Sequence, residues 1–378
     1  MTGNDNLLKA DVLILGGGVV GLSLAREMAG QGQTTMLVDR NRTGRAASWA
    51  GAGILPPACS RHARHPIEKI AAESFRMHAG LAESLLQETG IDNGFRRCGA
   101  AFVARSPGEQ AALAGQCGEW KDNGVTVEQL TRAQLVQRFP GMAEAASGVR
   151  LAVLLPDEVQ IRNPDHLQAL VASCRQRKVR IMEQVGKVTL ETAAGSINRV
   201  CLETGQMVQA DKVCICAGAW SADLLEQLDC RISTLPVRGQ MLLYRLSRRS
   251  FSTVLYEGTR YIVPRDDGHV LCGSTLEQAG FDPSTTPQAL ADLQRFASSL
   301  LTELKPENRI DAWAGLRPGT WDGFPYLGPV PGIANAWAAC GHFRSGLLSS
   351  PATAVALRQL MLDQPVLFDL VPFRLDRG

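Results

Sequence analysis

The pattern of apolar and polar residues predicts a β-α-β unit near the N-terminus. Residues 11–15 form a short apolar, β-branched run, typical of a buried parallel strand. Helical spacing follows over 19–29, and a second strand is predicted over 34–38. The turn between the first strand and the helix reads GGGVVG at 16–21, which fits the dinucleotide pattern GxGxxG.

Farther along the chain, helical and strand-like segments alternate. Helices are predicted over 67–90, 107–121 and 132–139, and strands over 99–104, 178–184, 187–190, 212–216, 236–244, 260–264 and 269–273. Asn163 followed by Pro164 predicts a cap and first turn for a helix that runs to about residue 177. Asp266-Asp267-Gly268 predicts a hairpin between the last two strands.

These elements predict an α/β fold in which a Rossmann-like domain is interleaved with a second domain built on a mostly antiparallel sheet with helices. No internal repeat or Gly/Ser linker separates the two domains. Residues 1–60, 145–228 and 318–378 are assigned to the nucleotide-binding domain. Residues 61–144 and 229–317 are assigned to the substrate-binding domain.

Composition narrows the class of protein. The 378 residues are 45% hydrophobic and 20% charged, which excludes a disordered chain. A net charge of +2, without any block of five like charges, argues against a nucleic-acid partner. The longest uncharged stretch, 323–343, contains three prolines, so no transmembrane segment is predicted. Because no signal-peptide pattern is present, a cytoplasmic location is expected.

The ten cysteines are scattered, without a CxxC pair or the Cys/His spacing of a metal site. Reduced, buried thiols and no metal are therefore expected.

The glycine turn predicts how a dinucleotide would be held. Gly16 permits a tight turn, Gly18 lets the backbone approach a pyrophosphate, and Gly21 lets helix and strand pack closely. Asp39 follows Gly16 by 23 residues, close to the spacing of the acid that binds a ribose 2′-hydroxyl. This unit alone leaves FAD and NAD open.

Two other segments are rich in small residues. Gly51 and Gly53 lie in RAASWAGAGILPP (45–57), and a turn reading AGAWS (217–221) follows the strand predicted over 212–216. Both segments permit close approach of the backbone to the same cofactor.

Several longer motifs point to one family: AGAWS at 217–221, YIVPR at 261–265, WAGLRPGTWDGFPYLG at 313–328 and GHFRSGLLSSPAT at 341–353. With the glycine turn, they resemble the D-amino acid oxidase superfamily of flavoproteins, and within it the glycine oxidase family of thiamine biosynthesis. The resemblance covers nearly the whole chain. Its C-terminal motifs are far more specific than the glycine turn.

The resemblance implies FAD, bound without a covalent link. Sarcosine oxidases tether flavin through a cysteine in the segment that here reads Arg-Pro-Gly-Thr (317–320), and no cysteine occurs there. The glycine pattern and the resemblance together imply these cofactor-binding residues: Gly16, Gly18, Val19, Val20, Gly21, Asp39, Arg40, Ser48, Gly51, Ala52, Gly53, Ile54, Val185, Ala217, Gly218, Trp220, Arg317, His342, Phe343, Arg344, Ser345, Gly346 and Leu347.

The resemblance also implies a grip on the substrate carboxylate by Tyr261, Arg317 and Arg344. Guanidinium groups suit this role because they are planar, always charged and able to bind a carboxylate through two parallel bonds. Thr259 stands where the family has a histidine, and Leu276 where it has a methionine. The preferred substrate size is therefore open.

The implied activity is oxidative deamination of glycine, sarcosine and small D-amino acids, with molecular oxygen as electron acceptor and hydrogen peroxide as product. A thiazole synthase as partner and a homo-oligomeric state are implied as well. Two alternatives remain: a flavin dehydrogenase for another amino acid or a 2-hydroxy acid, using a quinone, and a non-catalytic flavin-binding module. Two arginines and a tyrosine placed for a carboxylate argue against the module.

Overall fold

Two eight-stranded sheets dominate the structure, a computed structural model that describes residues 7–58 and 63–377. The strands are β1 (Leu7–Leu15), β2 (Thr35–Val38), β3 (Ile54–Leu55), β4 (Arg96–Arg97), β5 (Ala100–Ala104), β6 (Glu128–Gln129), β7 (Leu151–Leu155), β8 (Val159–Gln160), β9 (Arg180–Met182), β10 (Val188–Ala193), β11 (Ser196–Leu202), β12 (Met207–Ile215), β13 (Thr234–Arg245), β14 (Val254–Glu257), β15 (Arg260–Pro264), β16 (His269–Gly273), β17 (Arg309–Thr320), β18 (Tyr326–Pro329) and β19 (Ala336–Cys340). The helices are α1 (Val19–Gly30), α2 (Ala47–Ala50), α3 (Pro66–Thr89), α4 (Pro107–Asp122), α5 (Arg132–Arg138), α6 (Asn163–Gln176), α7 (Ser221–Glu226), α8 (Pro287–Leu300) and α9 (Gly346–Met361).

The first sheet has a parallel centre of β9, β2, β1, β12 and β19. Its middle strands are apolar and buried, as parallel strands covered on both faces must be. Helices α1, α3, α6 and α9 contribute Leu22, Ile70, Leu170 and Leu357 to the core that covers one face. The predicted Rossmann-like β-α-β unit is therefore confirmed.

The second sheet has the order β17-β13-β16-β15-β14-β5-β7-β6 and is antiparallel except between β14 and β5. Leu135 of α5 and Leu293 of α8 lie in the core on one of its faces. The predicted antiparallel sheet and the hairpin between β15 and β16 are confirmed. Strands β3, β8 and β4 form a small third sheet.

The domain boundaries stay a prediction. Two elements pack in the layer of the other domain, not in the layer of the domain to which their residues were assigned. Strand β7 pairs with β5 in the second sheet, although residues 145–228 were assigned to the first domain. Helix α3 packs in the first core, although residues 61–144 were assigned to the second domain. The chain therefore crosses between the two layers more often than the boundaries indicate.

One predicted strand is shorter in the structure. Of residues 178–184, only Arg180–Met182 form a strand, because Lys178 and Gln184 have φ angles of 63° and 57°. Left-handed backbone at those positions interrupts extended structure. Helices α8 and α9 and strand β17 were not predicted.

Among the described residues, no helix is both long and apolar enough to cross a membrane. In the same part of the chain, no group of three His, Cys, Asp or Glu side chains is placed to hold a metal ion.

Candidate cofactor and substrate site

A cavity of about 1510 Å³ extends from the carboxyl ends of the first sheet's parallel strands to the face of the second sheet. Small-molecule pockets measure roughly 300–1,000 Å³, so this cavity can hold a dinucleotide together with a small substrate. The first sheet supplies the turn before α1 and the segment after β12, and the second supplies Tyr261 and Arg317.

The glycine turn brings the backbone close to this cavity. A Cβ on Gly16, whose φ is +114°, would lie 2.4 Å from the carbonyl oxygen of Cys216, so only glycine fits. A Cβ on Gly21 would lie 2.0 Å from the carbonyl oxygen of Gly16. Gly21 does not line the cavity, and it acts instead through the close packing of α1 on β1. The N-terminus of α1 carries no acidic residue in its first turn, which suits an anionic ligand.

Asp39 lies at the cavity wall where β2 ends. Its Oδ2 accepts a hydrogen bond from the Gly17 N–H, and its Oδ1 accepts one from the Asn41 N–H, both at 2.8 Å. Burial raises the pKa of Asp39, and these two hydrogen bonds oppose the rise. Each carboxylate oxygen keeps a second lone pair for a ligand hydroxyl.

The segment that contains Gly51 and Gly53 is held by a close backbone contact and by a buried arginine. A Cβ on Gly53 would lie 1.9 Å from the Ile161 carbonyl oxygen. Arg265, from β15's end, donates to the carbonyl oxygens of Ala52 at 2.7 Å and Ile161 at 3.0 Å, and to Gln160 Oε1 at 2.5 Å. Burial lowers the pKa of Arg265 to about 10. This buried cation links the second sheet to the cofactor side of the cavity.

Arg317 is fixed at the opposite end of the cavity. Its Nη2 donates to Ser274 Oγ at 2.7 Å and its Nη1 to the Thr275 carbonyl oxygen at 3.3 Å. Gly239 faces it on β13, where a Cβ would lie 2.1–2.4 Å from the guanidinium. Within the described residues, no carboxylate lies within ion-pair distance of Arg317.

The structure brings Tyr261 and Arg344 to the same end of the cavity. Burial lowers the pKa of Arg317, an interaction with Tyr261 opposes the shift, and the nearby charge of Arg344 adds to it. The exposed Arg344 guanidinium lies 5.6 Å from the Phe343 ring centre. Two cations and a phenol hydroxyl therefore meet where a substrate carboxylate is expected.

The other predicted positions differ in their placement. All the predicted cofactor residues line the cavity except Gly21 and Val185. Val185 is 2% exposed in the core beside the first sheet, and its N–H donates to the Asp39 carbonyl oxygen at 3.3 Å. Thr259 lines the cavity, whereas Leu276 is 57% exposed and does not line it. Leu276, which stands where the family has a methionine, therefore does not form part of the cavity wall.

His342 lines the cavity as a neutral ring. Burial lowers its pKa to about 4, and its Nε2 lies 3.2 Å from Thr353 Oγ1. A ring held in this way is a poor candidate for a general base.

Sequence reasoning missed a buried acid behind the substrate end. Tyr256 lines the cavity and donates its hydroxyl to Glu158 Oε1 at 2.8 Å. Glu158 is 1% exposed, and burial raises its pKa to about 8 against the lowering effect of the Tyr256 bond. Glu158 lies just before the two-residue strand β8, too short a segment for periodicity to mark.

Comparisons with known proteins give one matching family and several similar proteins. Residues 11–360 match the family model described as "FAD dependent oxidoreductase" (DAO). A glycine oxidase from Pseudomonas aeruginosa is 33% identical over 96% of this chain and 97% of its own. The crystal structure of glycine oxidase from Geobacillus kaustophilus superposes with a TM-score of 0.89 at 29% identity, covering 98% of this chain and 99% of that one. A Synechocystis protein named "Bifunctional protein ThiO/ThiG" is 32% identical over 94% of this chain and 52% of its own length.

Proposed function

The chain belongs to the DAO family of FAD dependent oxidoreductases, and we propose that it oxidises glycine and other small amines at the substrate end of the cavity. It is an FAD-dependent amino acid oxidase. The observation that carries the substrate assignment is the meeting of Arg317, Arg344 and Tyr261, without an acidic partner for Arg317 among the described residues, inside a dinucleotide-sized cavity.

The residues present fit FAD. Gly16 and Gly18 leave the backbone free to approach a pyrophosphate at the N-terminus of α1, and Asp39 keeps acceptor capacity for a ribose hydroxyl. The segment 51–54 and the turn at 217–220 would hold the remainder of the cofactor. FAD supplies two-electron oxidation of a carbon–nitrogen bond, with oxygen as the final electron acceptor and hydrogen peroxide as its product.

The protein's own contribution is to orient the substrate. Arg317 can offer two parallel N–H groups to a carboxylate because Ser274 and Thr275 hold its guanidinium in place. Tyr261 adds a neutral hydroxyl donor. Fixing the carboxylate also fixes the adjacent carbon, and such orientation lowers a reaction barrier by several kcal/mol, up to about 7–11 kcal/mol in favourable cases.

No described side chain at the substrate end is placed to act as a base, so the amine must react in its neutral form. Among the described residues that line the cavity, only Asp39 and Asp223 are acidic, and both belong to the nucleotide side. His342 is neutral and already lies against Thr353. We therefore assign no side chain the role of general base.

Purified protein tests the proposal directly. Glycine, sarcosine and small D-amino acids should bleach the flavin absorbance anaerobically and release hydrogen peroxide in air, whereas bulky or L-amino acids should react poorly. A panel in which only long L-amino acids or 2-hydroxy acids bleach the flavin would overturn the substrate assignment. Stopped-flow reoxidation by oxygen separates an oxidase from a dehydrogenase that uses a quinone.

Non-covalent FAD has its own test, release into the supernatant on acid precipitation. Two cysteines line the cavity in the described chain, Cys216 and Cys340, and burial raises the pKa of Cys340 to about 12. Such a thiol is a poor nucleophile. Flavin that stays with the precipitated chain would contradict the expectation.

Association with a thiazole synthase remains a proposal. It is supported by the relative named ThiO/ThiG, a bifunctional protein of which this chain matches about half. Co-elution of the two purified proteins would test it. The homo-oligomeric state and the cytoplasmic location stay predictions from the sequence.

A further inference from the structure

The segment that holds Arg317 is itself anchored to β13 of the second sheet. Arg317 donates to Ser274 Oγ and to the Thr275 carbonyl oxygen, and both of these residues follow directly after β16. Residues 274–286, between β16 and α8, form neither a helix nor a continuous strand. The position of the Arg317 guanidinium therefore depends on the contacts that this irregular segment makes elsewhere.

Gln240 of β13 binds the segment near both of its ends. It is 0% exposed. Its backbone N–H donates to Thr275 Oγ1 at 2.9 Å, and its Nε2 donates to Glu277 Oε1 at 2.9 Å. At the far end, its Oε1 accepts from the Thr286 N–H at 2.8 Å, and its Nε2 lies 3.1 Å from Thr286 Oγ1. One amide side chain therefore joins the start of the segment to its end.

Arg238, two residues before Gln240 on β13, holds the middle of the segment. Its Nη2 donates to Glu277 Oε2 at 2.7 Å, and its Nη1 donates to Asp282 Oδ2 at 2.8 Å. Burial raises the pKa of the Glu277 carboxyl, but hydrogen bonds from Thr275, Arg238 and Gln240 outweigh this and lower it. Glu277 is therefore ionised at neutral pH, and its bonds to Gln240 and Arg238 are charge-assisted.

Gln240 lies on the other side of β13 from the substrate end. Gly239 lines the cavity and Gln240 does not. The Arg317 guanidinium packs over Gly239, where a Cβ would lie 2.1–2.4 Å from it. Because successive side chains of a strand point to opposite faces, the Gln240 amide points away from the cavity. Gly239 thus leaves room for Arg317, and the next residue holds the segment that orients it.

We propose that Gln240 is a positioning residue for Arg317: by fixing residues 274–286 to β13, it sets the orientation in which the guanidinium meets the substrate carboxylate. A guanidinium that rotates out of this orientation keeps its charge but loses one of two parallel bonds to a carboxylate. The inference rests on the proposed substrate site, and it adds a residue that contacts neither substrate nor cofactor.

Oxidation of glycine, measured as kcat/KM per bound flavin, tests the proposal. Gln240→Met keeps an unbranched side chain of similar length and removes its amide. It should lower kcat/KM at least about fivefold, the size expected for losing one hydrogen bond. Tyr244→Phe is the matched control. Tyr244 is 0% exposed on the same face of β13 and donates to Gln294 Oε1 at 3.0 Å, so its loss should change kcat/KM by less than about twofold.

A double-mutant cycle separates positioning from a general loss of stability. In the Arg317→Lys background, Gln240→Met should change kcat/KM by less than about twofold, because the guanidinium that Gln240 orients is absent. The Kd for acetate, measured from the flavin absorbance, should follow the same pattern. A loss of about fivefold in both backgrounds, or a value for Gln240→Met alone within about twofold of wild type, would overturn the proposal.

The single variant Arg317→Lys distinguishes failure of this inference from failure of the proposed function. If it leaves kcat/KM for glycine and the Kd for acetate unchanged, the proposed substrate site is wrong and the inference falls with it. If it weakens both while Gln240→Met weakens neither, the substrate site stands and Gln240 has no positioning role.

If Gln240→Met fails to fold, Thr275→Val in the same two backgrounds keeps the test decisive. Valine removes the hydroxyl that accepts from the Gln240 N–H and keeps the carbonyl oxygen that binds Arg317. It should lower kcat/KM at least about threefold in the wild-type background and less than about twofold in the Arg317→Lys background. An unchanged kcat/KM, or equal losses in both backgrounds, would contradict the proposal.

Discussion

Replacement of Arg317 by lysine tests whether this residue holds the substrate carboxylate. Lysine keeps the positive charge and loses the planar fork, together with the anchoring bonds to Ser274 Oγ and the Thr275 carbonyl oxygen. A hydrogen bond to a charged group contributes about 1.5–3 kcal/mol. Losing one of the two bonds to a carboxylate should therefore cost about 2 kcal/mol, or roughly a 30-fold rise in the KM for glycine.

The assay measures KM, flavin content and Tm on one preparation, with Arg260→Lys as the control. Arg260 precedes Tyr261 on β15, lies 5.5 Å from the Phe296 ring centre and does not line the cavity. Acetate and glycolate carry the carboxylate without the amine, so their Kd values should rise in parallel with KM. A KM for the Arg317→Lys variant equal to that of wild type, with Tm or flavin retention lowered, would refute the assignment and make Arg317 a structural residue.

Three further perturbations follow from the contacts. Gly239→Ala places a Cβ 2.1–2.4 Å from the Arg317 guanidinium and should raise KM as strongly as Arg317→Lys while FAD stays bound; unaltered kinetics would contradict this. Asp39→Ala should weaken FAD binding by about 1–3 kcal/mol in a fluorescence titration, and an unchanged Kd would remove Asp39 from the site. Burial raises the pKa of Glu88, but bonds from Arg177 and Ser173 outweigh this and lower it to about 2. Calorimetry should therefore show Glu88→Gln less stable than wild type above about pH 5, with the difference vanishing as the pH falls toward 2.

Much of the fold could be predicted because its signals are local. The strand, glycine turn and helix of the first unit lie within one short segment, and so does the hairpin at 266–268. Helix α8 has a comparable local signal, with Pro287 in its first turn and buried Leu293, Phe296 and Leu300 at helical spacing. Its apolar side chains pack on the second sheet's core.

Helix α9 has no such local signal. Pro351 lies inside it, and an interior proline normally reads as the end of a helix. The helix continues because Leu357 and Met361 pack with Leu22 of α1 and Ile70 of α3 in the first core. Packing between segments distant in sequence decides this element, and such packing cannot be seen in a periodicity.

In the site too, local motifs could be predicted from the sequence, whereas contacts between distant segments could not. Tyr261, Arg317 and Arg344 occur in recognisable motifs. Arg265 ends one of these motifs, YIVPR, but its partners, like that of Glu158, lie far along the chain. Burying such polar groups is costly unless each finds a partner. Because Arg265 binds the carbonyl oxygen of Ala52, hydrogen bonds between the two layers set the position of the cofactor segment relative to the substrate end. The distance from cofactor to substrate therefore depends on buried polar contacts, not on the apolar pattern that specifies the sheets.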